Sequence, residues 1–468
     1  MTRAKKRAER APARVVTSAA AAPEVGVPPP HRGELASGLA WLGWTLVALT
    51  APVAALVDAG SFASYVASGL AGAGGLVVVA SVALRVRDRD AAPMSAWFPT
   101  GTALLVGGAA ALVYPCFASR ADIVALHERF PFAPLAAVAL VLSGIALSLM
   151  GLHRLGTSEP PFSEEEEAKY ATWWPRVRLV LPPWGFYYLP LFLWESWREL
   201  DREAAREREA RAAAGQTGYD WRPLAVFSAG AVCLALMEYF GHAPTFREMV
   251  DAFDPPGRME EASSFFAVVR ESPFRRLTEF VWWSGWRVLG FFLLPAIVVK
   301  LVLRERLADY GLATAGFLKH AWIYALFFAI VLVAVVTVSY EESFKTYYPF
   351  YRDASRSWFD FWAWELLYAA QFFSLEFFFR GFWLKAAKRS MGSHAIFAMV
   401  VPYCMIHFGK PFLETLAAIL AGVVLGTLAL RTRSIWSGFL IHVTVAVSMD
   451  IAALLQTAGL PDRWWPAL

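Results

Sequence analysis

The sequence predicts an all-α protein, a polytopic membrane helix bundle with about eleven transmembrane spans. The chain of 468 residues is 57% hydrophobic, which is typical of multi-pass membrane proteins and not of soluble domains. Its apolar residues fall into segments of about 20 residues, the length that crosses a bilayer as a helix. Clusters of Lys and Arg lie mainly in alternate loops, as the positive-inside bias requires. The net charge of +4 is spread over these loops and gives no reason to expect a nucleic-acid partner.

The chain divides by composition into successive parts. Residues 1–32 are rich in Ala, Pro, Arg and Lys and predict a disordered basic tail on the cytoplasmic side. Residues 33–152 predict a four-span N-terminal membrane bundle, whose Ala and Gly allow close helix contacts. Residues 153–278 form a polar insertion with one further span, and residues 279–456 form a core that holds the remaining spans. Residues 457–468 are a C-terminal tail.

The order of the apolar segments fixes a predicted topology. The predicted spans cover residues 35–57, 61–86, 96–117, 132–152, 222–240, 280–303, 322–340, 358–384, 394–408, 412–430 and 435–455. Residues 179–194 predict an interfacial element, and residues 195–214, dense in Arg and Glu, predict a polar surface helix. Gly422 and Gly426 are four residues apart on one helix and predict a tight helix contact.

One predicted span carries a glutamate and an arginine. Glu376 and Arg380 lie in the segment 374–382, inside the span 358–384. Charged side chains are costly at this depth and should face the interior of the bundle. A spacing of four places both on one helix face, where they can pair. The pair either joins helices only or marks a functional cavity.

Two later spans each carry a histidine. His407 and His442 lie in apolar segments, and a lone histidine there is more often a hydrogen-bonded core residue than a functional group. Two of them together with Glu376 indicate a shared polar cavity instead. Glu414 follows the Gly-Lys-Pro turn after His407. It is either a helix-start carboxylate, favoured by the helix dipole, or a second carboxylate for the histidines.

This set of motifs resembles the CAAX protease and bacteriocin-processing family of intramembrane endopeptidases, also called CPBP or Abi. That family carries Glu-Glu-x-x-x-Arg, Phe-x-x-x-His and His-x-x-x-Asn on successive membrane helices. Glu376 and Arg380 match the second Glu and the Arg of the first motif. His407 matches the second motif, with Tyr403 in place of the Phe, and His442 matches the third.

The resemblance covers roughly residues 289–453 and implies an intramembrane endopeptidase of the CAAX prenyl protease 2-like type. Its expected substrate is a membrane-associated protein or peptide. The chain departs from the motifs at two positions. Leu375 stands where the family has its first Glu, which is assigned to activating water, and Ala446 stands where it has Asn. Two other classes therefore stay open: a catalytically inactive protease-like scaffold and, without a visible inverted repeat to support it, a transporter.

The candidate catalytic residues are Glu376, Arg380, His407, Glu414 and His442. We expect Glu376 to act as the base, Arg380 to hold it ionised, and the histidines to polarise the scissile carbonyl or position water. Glu414 is expected to supply the carboxylate that the first motif lacks. Alternatively, His407, His442 and Glu376 can hold Zn²⁺ with an open position, although no local HExxH motif is present. The sequence leaves the metal-dependent and glutamate-type mechanisms open.

The expected partners are a polypeptide substrate and the lipid bilayer, with no nucleic acid. We expect an integral protein of a bacterial inner membrane, with its N-terminus in the cytoplasm. An odd number of spans then leaves the C-terminus outside.

Overall fold

The described part of the chain consists of helices and the turns and loops that connect them. The computed structural model describes residues 97–129, 133–153, 169–170, 172–216, 218–253, 265–314 and 317–467. Within these residues no strand occurs, which confirms the predicted all-α class. The helices are α1 (Trp97–Val113), α2 (Arg120–Arg129), α3 (Ala133–His153), α4 (Trp173–Val180), α5 (Gly185–Ala213), α6 (Arg222–Phe240), α7 (Ala243–Phe253), α8 (Phe265–Glu271), α9 (Arg275–Leu303), α10 (Phe317–Val338), α11 (Glu342–Tyr347), α12 (358–391), α13 (His394–Met405), α14 (Phe412–Thr432) and α15 (Trp436–Gln456). The basic tail and the predicted spans 35–57 and 61–86 lie outside the described residues.

Six of the described helices are long and apolar enough to cross a membrane. They are Thr100–Phe117, Arg222–Phe240, Arg275–Leu303, His320–Val338, Phe412–Thr432 and Trp436–Gln456. Each falls on a predicted span, so the described residues support an integral membrane protein. The total of about eleven spans stays a prediction. The predicted short span 394–408 is a helix of 12 residues, α13.

Helix α12 begins at a buried polar cap. The Ser357 side chain accepts a hydrogen bond from the backbone N–H of Asp360, which is the usual way to satisfy a free donor in the first helical turn. The Asp360 carboxylate is itself buried, and it accepts hydrogen bonds from Tyr351 at 2.6 Å and from Arg356 at 2.6 Å. Burial is tolerated because the carboxylate is both paired and hydrogen-bonded. These contacts fix the start of the helix that carries the first motif.

Halfway along, α12 changes from an α-helix to a π-helix. The α-helical part ends at Glu376, and the π-helical part covers Phe377–Trp383. Short π segments inside α-helices are rare and occur mostly at functional sites. The phenylalanines of this segment are fully buried and form an apolar cluster with side chains of α6, α9 and α13; they are Phe377, Phe378, Phe379 and Phe382. The first motif is therefore enclosed by apolar rings.

Small residues hold α14 close to α13, as the glycine spacing predicts. A Cβ at Gly422 would lie 3.0 Å from Val400 Cγ2 and 3.1 Å from Tyr403 Cδ1. A Cβ at Gly426 would lie 3.0 Å from Met399 Cε. The predicted tight contact is confirmed, and it positions Tyr403 within the bundle.

The polar helix α5 contacts the ends of core helices through charged residues. Glu203 accepts a hydrogen bond from Lys388 Nζ at 2.5 Å and lies 3.4 Å from Arg433 Nη2. One turn later, Glu207 Oε1 lies 2.5 Å from Arg389 Nε. We call these residues the polar clasp. The clasp joins the insertion to the ends of α12 and α14.

The described helices of the N-terminal bundle also contact the core. Helices α1 and α3 pack closely at glycines, since a Cβ at Gly144 would lie 2.3 Å from the backbone nitrogen of Leu105. Thr278 of α9 donates a hydrogen bond to the carbonyl of Cys116 at 3.0 Å. These helices and the N-terminal parts of α9 and α12 share one apolar cluster.

Candidate active site

The charged pair of α12 is sealed within the protein. Glu376 is 0% exposed and Arg380 is 2% exposed. Arg380 Nη1 lies 3.2 Å from Glu376 Oε1, so the spacing of four does bring the charges together. Among the described residues, neither carboxylate oxygen has a well-aligned hydrogen-bond donor. The pair is thus held mainly by charge in an apolar environment, where removing one partner is strongly destabilising.

Helix α15 brings His442 to this pair. His442 Nδ1 lies 3.0 Å from Glu376 Oε1 and 3.1 Å from the carbonyl oxygen of Gly438. The carboxylate and the carbonyl oxygen are both acceptors, so Nδ1 is the ring nitrogen that carries the hydrogen. Its N–H points toward the Gly438 carbonyl. Glu376 makes a close ionic contact with the same nitrogen. The carboxylate is therefore placed to stabilise a positive charge on the imidazole.

The absence of a side chain at position 438 makes this contact possible. A Cβ on Gly438 would lie 2.3 Å from Glu376 Oε2 and 2.9 Å from its carboxyl carbon. Real Cβ atoms do not approach that closely, so the carboxylate sits in the space that glycine leaves. The contact between Glu376 and His442 thus depends on Gly438, a position that motif matching does not identify.

Helix α13 contributes Tyr403, which contacts both His442 and Arg380. Its hydroxyl lies 3.0 Å from His442 Nε2, and its ring lies 4.1 Å from the Arg380 guanidinium carbon. Since His442 Nδ1 carries the hydrogen, a neutral His442 accepts the tyrosine O–H at Nε2. The sequence identified Tyr403 only as a replacement for Phe, and gave its hydroxyl no role.

His407 lies in the turn just after α13, beside Tyr403. Its Nδ1 donates to the Tyr403 carbonyl at 2.8 Å, and the two rings have centroids 4.9 Å apart. This hydrogen bond leaves the lone pair on Nε2. His407 thus joins the site through Tyr403 and not by contact with Glu376.

Glu414 is placed at the start of α14 with other partners. It accepts hydrogen bonds from Tyr348 at 2.9 and 3.0 Å and from Lys410 at 2.7 Å. Within the described part of the chain, no hydrogen bond or ion pair connects it with Glu376 or His442. Its role as a second catalytic carboxylate stays a prediction.

The residues of the zinc alternative do not fit a metal in this arrangement. In the described ranges, no group of three or more His, Cys, Asp or Glu side chains is placed to hold an ion. A metal-bound imidazole needs a lone pair, and that of His442 faces the Tyr403 hydroxyl. We therefore derive no step through a metal.

Access to solvent differs among the site residues. The side chain of His442 is 18% exposed, whereas that of Glu376 is 1% exposed. Tyr403 is also buried, at 1%. Of these three side chains, only His442 is appreciably exposed.

The two residues that depart from the family motifs are apolar and lie in apolar surroundings. Leu375 is 4% exposed and belongs to the apolar cluster around the π segment. Ala446 is 6% exposed and packs in the cluster at the N-terminal parts of α9 and α12. Neither position offers a polar group, so the groups that the motifs place there must be replaced by others or be absent.

Comparison with known proteins supports the resemblance. A family model described as type II CAAX prenyl endopeptidase, Rce1-like, matches residues 356–448. The match confirms the resemblance to the CAAX proteases in the C-terminal half, and it spans all the candidate site residues. No curated protein and no solved structure matches the chain.

Proposed function

We propose that the chain is an intramembrane endopeptidase that hydrolyses a peptide bond of a membrane-associated protein or peptide. The observation that carries the proposal is the contact of Glu376 with His442 inside the Rce1-like segment, at 3.0 Å. An imidazole backed by a buried carboxylate is the general-base arrangement of many hydrolases.

The proposed mechanism assigns one task to each group. His442 is the base that finally accepts the proton of the attacking water, whose oxygen bonds to the scissile carbonyl carbon, a step in which a placed base contributes about 10²–10⁴-fold. Glu376 stabilises the imidazolium that forms, and Arg380 keeps Glu376 ionised. His407 presents the lone pair of Nε2, which can accept a hydrogen bond from a substrate N–H.

The finer features of the proposal follow from the resemblance. Peptides with a prenylated C-terminal cysteine are the first substrate class to test, because the matching family model is described as a CAAX prenyl endopeptidase. We retain about eleven spans, a cytoplasmic N-terminus and a bacterial inner membrane as parts of the proposal.

The function is tested by comparing protein termini in membranes from cells that carry the wild type, a deletion, Glu376→Gln or His442→Asn. We expect termini that appear only with the wild type and are lost in both variants. Gln keeps the shape of Glu376 but cannot stabilise an imidazolium by charge. Glu365→Gln is the matched control, since Glu365 is a buried carboxylate on the same helix, three turns earlier.

Two outcomes would contradict the proposal. If no terminus changes in the deletion, the inactive scaffold becomes the better reading. If termini change in the deletion but persist in Glu376→Gln, the site described above is not the hydrolytic site.

A further inference from the structure

The structure points to Tyr403 as a further catalytic residue. Resting on the proposed hydrolase function, we propose that its hydroxyl passes the proton of the attacking water to His442. The residue at this position is Phe in the motif that the chain resembles, so the hydroxyl is a property of this chain.

Both nitrogens of His442 are occupied by the protein. Nδ1 faces Gly438 and Glu376, at 3.1 and 3.0 Å, and Nε2 faces the Tyr403 hydroxyl at 3.0 Å. Only Nε2 can accept a proton, since Nδ1 already carries one. A proton that travels from water to His442 therefore passes through the hydroxyl.

The surroundings of Tyr403 suit such a transfer. Its ring is fixed in the core between the Arg380 guanidinium, 4.1 Å from the ring centroid, and Phe379, whose ring centroid is 5.3 Å away. The cation lowers the cost of negative charge that develops on the phenol oxygen. The His442 side chain, in hydrogen-bond contact with this hydroxyl, is 18% exposed, and the relay requires water to reach the hydroxyl along it.

The step is balanced as follows. The Tyr403 O–H gives its hydrogen to His442 Nε2 as a proton, and the phenol oxygen takes a proton from water. The water oxygen forms its bond to the scissile carbonyl carbon, whose π electrons move to the carbonyl oxygen. When the C–N bond breaks, the proton returns by the reverse route to the leaving nitrogen. Tyr403 and His442 then have their starting protonation, and no redox partner is involved.

The relay also accounts for one of the two departures from the motifs, the missing carboxylate. The position of the first motif carboxylate is filled by Leu375, and that of the Asn by Ala446, both in apolar packing. Tyr403 supplies a polar hydrogen next to the remaining imidazole. It thus replaces a missing proton-transfer group within the site itself.

The test is Tyr403→Phe, measured on the full-length protein in liposomes with quenched fluorescent peptides, with and without a farnesylated C-terminal cysteine. We expect kcat to fall about 100-fold or more, the range of proton-transfer catalysis, with KM within a few-fold of wild type. In mixtures of H₂O and D₂O, the wild-type rate should show two transferring protons and the variant fewer. Tyr368→Phe removes the hydroxyl of another buried tyrosine and should leave both quantities unchanged.

The outcomes separate this inference from the proposed function. If Glu376→Gln is inactive while Tyr403→Phe keeps the wild-type kcat and isotope dependence, the relay is wrong and the hydrolase stands. If the wild type cleaves no peptide, ¹⁵N NMR of labelled histidine still tests the contact. The Nε2 resonance of His442 should shift in Tyr403→Phe, and an unchanged resonance would overturn the relay. Should Tyr403→Phe not fold, 3-fluorotyrosine at position 403 keeps the hydroxyl but alters its acidity, and an unchanged rate would contradict the relay.

Discussion

At the scale of single residues, Gly438 gives a direct test of the site geometry. Gly438→Ala should lower cleavage about 10²-fold, because the new Cβ would require the Glu376 carboxylate to move away from His442. Ala is otherwise favoured over Gly inside a helix, so the thermal midpoint should not fall in proportion. Initial rates and the midpoint are measured on the same preparations.

The control for this substitution is Gly285→Ala in α9. A Cβ at Gly285 has no atom within 4 Å, so this variant should keep full activity. Equal rates for wild type and Gly438→Ala would show that the carboxylate position is not critical.

For Glu414 we expect the opposite of Gly438: a substitution should lower stability and largely preserve activity. Glu414→Gln should lower the free energy of unfolding by about 1 kcal/mol, because it removes the charge that pairs with Lys410 and weakens the hydrogen bonds from Tyr348. Cleavage should stay within a few-fold of wild type. Melting curves and initial rates decide between the two roles: loss of cleavage at an unchanged midpoint would return Glu414 to the catalytic set.

Local spacing predicts part of the site and not the rest. The pairing of Glu376 with Arg380 follows from a separation of four on one helix. The contact between Tyr403 and His442 depends on how α13 is rotated relative to α15, and no local pattern determines that rotation. The contact between Tyr348 and Glu414 cannot be predicted from local spacing either, since Tyr348 comes from a loop that is distant in the sequence.

At the scale of helices, the polar clasp links the insertion to the core. Burial raises the pKa of Glu203. The hydrogen bond from Lys388 and the charges of Lys388, Arg433 and Arg431 lower it by more. The net effect is a pKa below its usual value of 4.5. A carboxyl whose pKa is lower in the folded state stabilises that state above its unfolded pKa. The contribution is lost as the pH falls through the folded value.

Glu203→Gln should therefore lower the thermal midpoint at pH 7 by a few degrees, corresponding to about 1 kcal/mol. The difference between wild type and variant should shrink as the pH falls from about 4.5 through the lower pKa of the folded state, because the carboxyl is protonated first in the unfolded and then in the folded protein. Glu209→Gln on the same polar helix is a suitable comparison. A difference that is independent of pH would show that charge is not the reason for the effect.

The clasp also shows where reasoning by element falls short. Residues 195–214 predict a surface helix because Arg and Glu alternate within it. In the structure, its Asp201 accepts a hydrogen bond from the backbone N–H of Ser393, at the turn between α12 and α13. Partners so far apart in the chain are set by the packing of whole helices, whereas local pairing rules describe only neighbours.

At the scale of the whole molecule, hydropathy predicts the fold class well. Six of the predicted spans coincide with described helices that are long and apolar enough to cross a membrane, because bilayer thickness and backbone hydrogen bonding leave few alternatives to such a helix. The change of helix type at Phe377 was not predicted, since hydropathy and residue propensity carry no signal for it. The packing of α1 and α3 against the core was likewise not visible in the sequence.

The π segment of α12 has a consequence for how this protein can vary in length. It lies between Glu376 on one side and the clasp residues Lys388 and Arg389 on the other. Losing or gaining one residue after Arg380 would rotate the following helix by about 100°, one residue's share of a helical turn. Such a change would leave the ion pair with Arg380 intact and turn the clasp residues away from α5. The rotation of the helix about its axis thus aligns the buried site with the polar clasp. An insertion or deletion in this short segment would leave one of the two contacts out of register with the other.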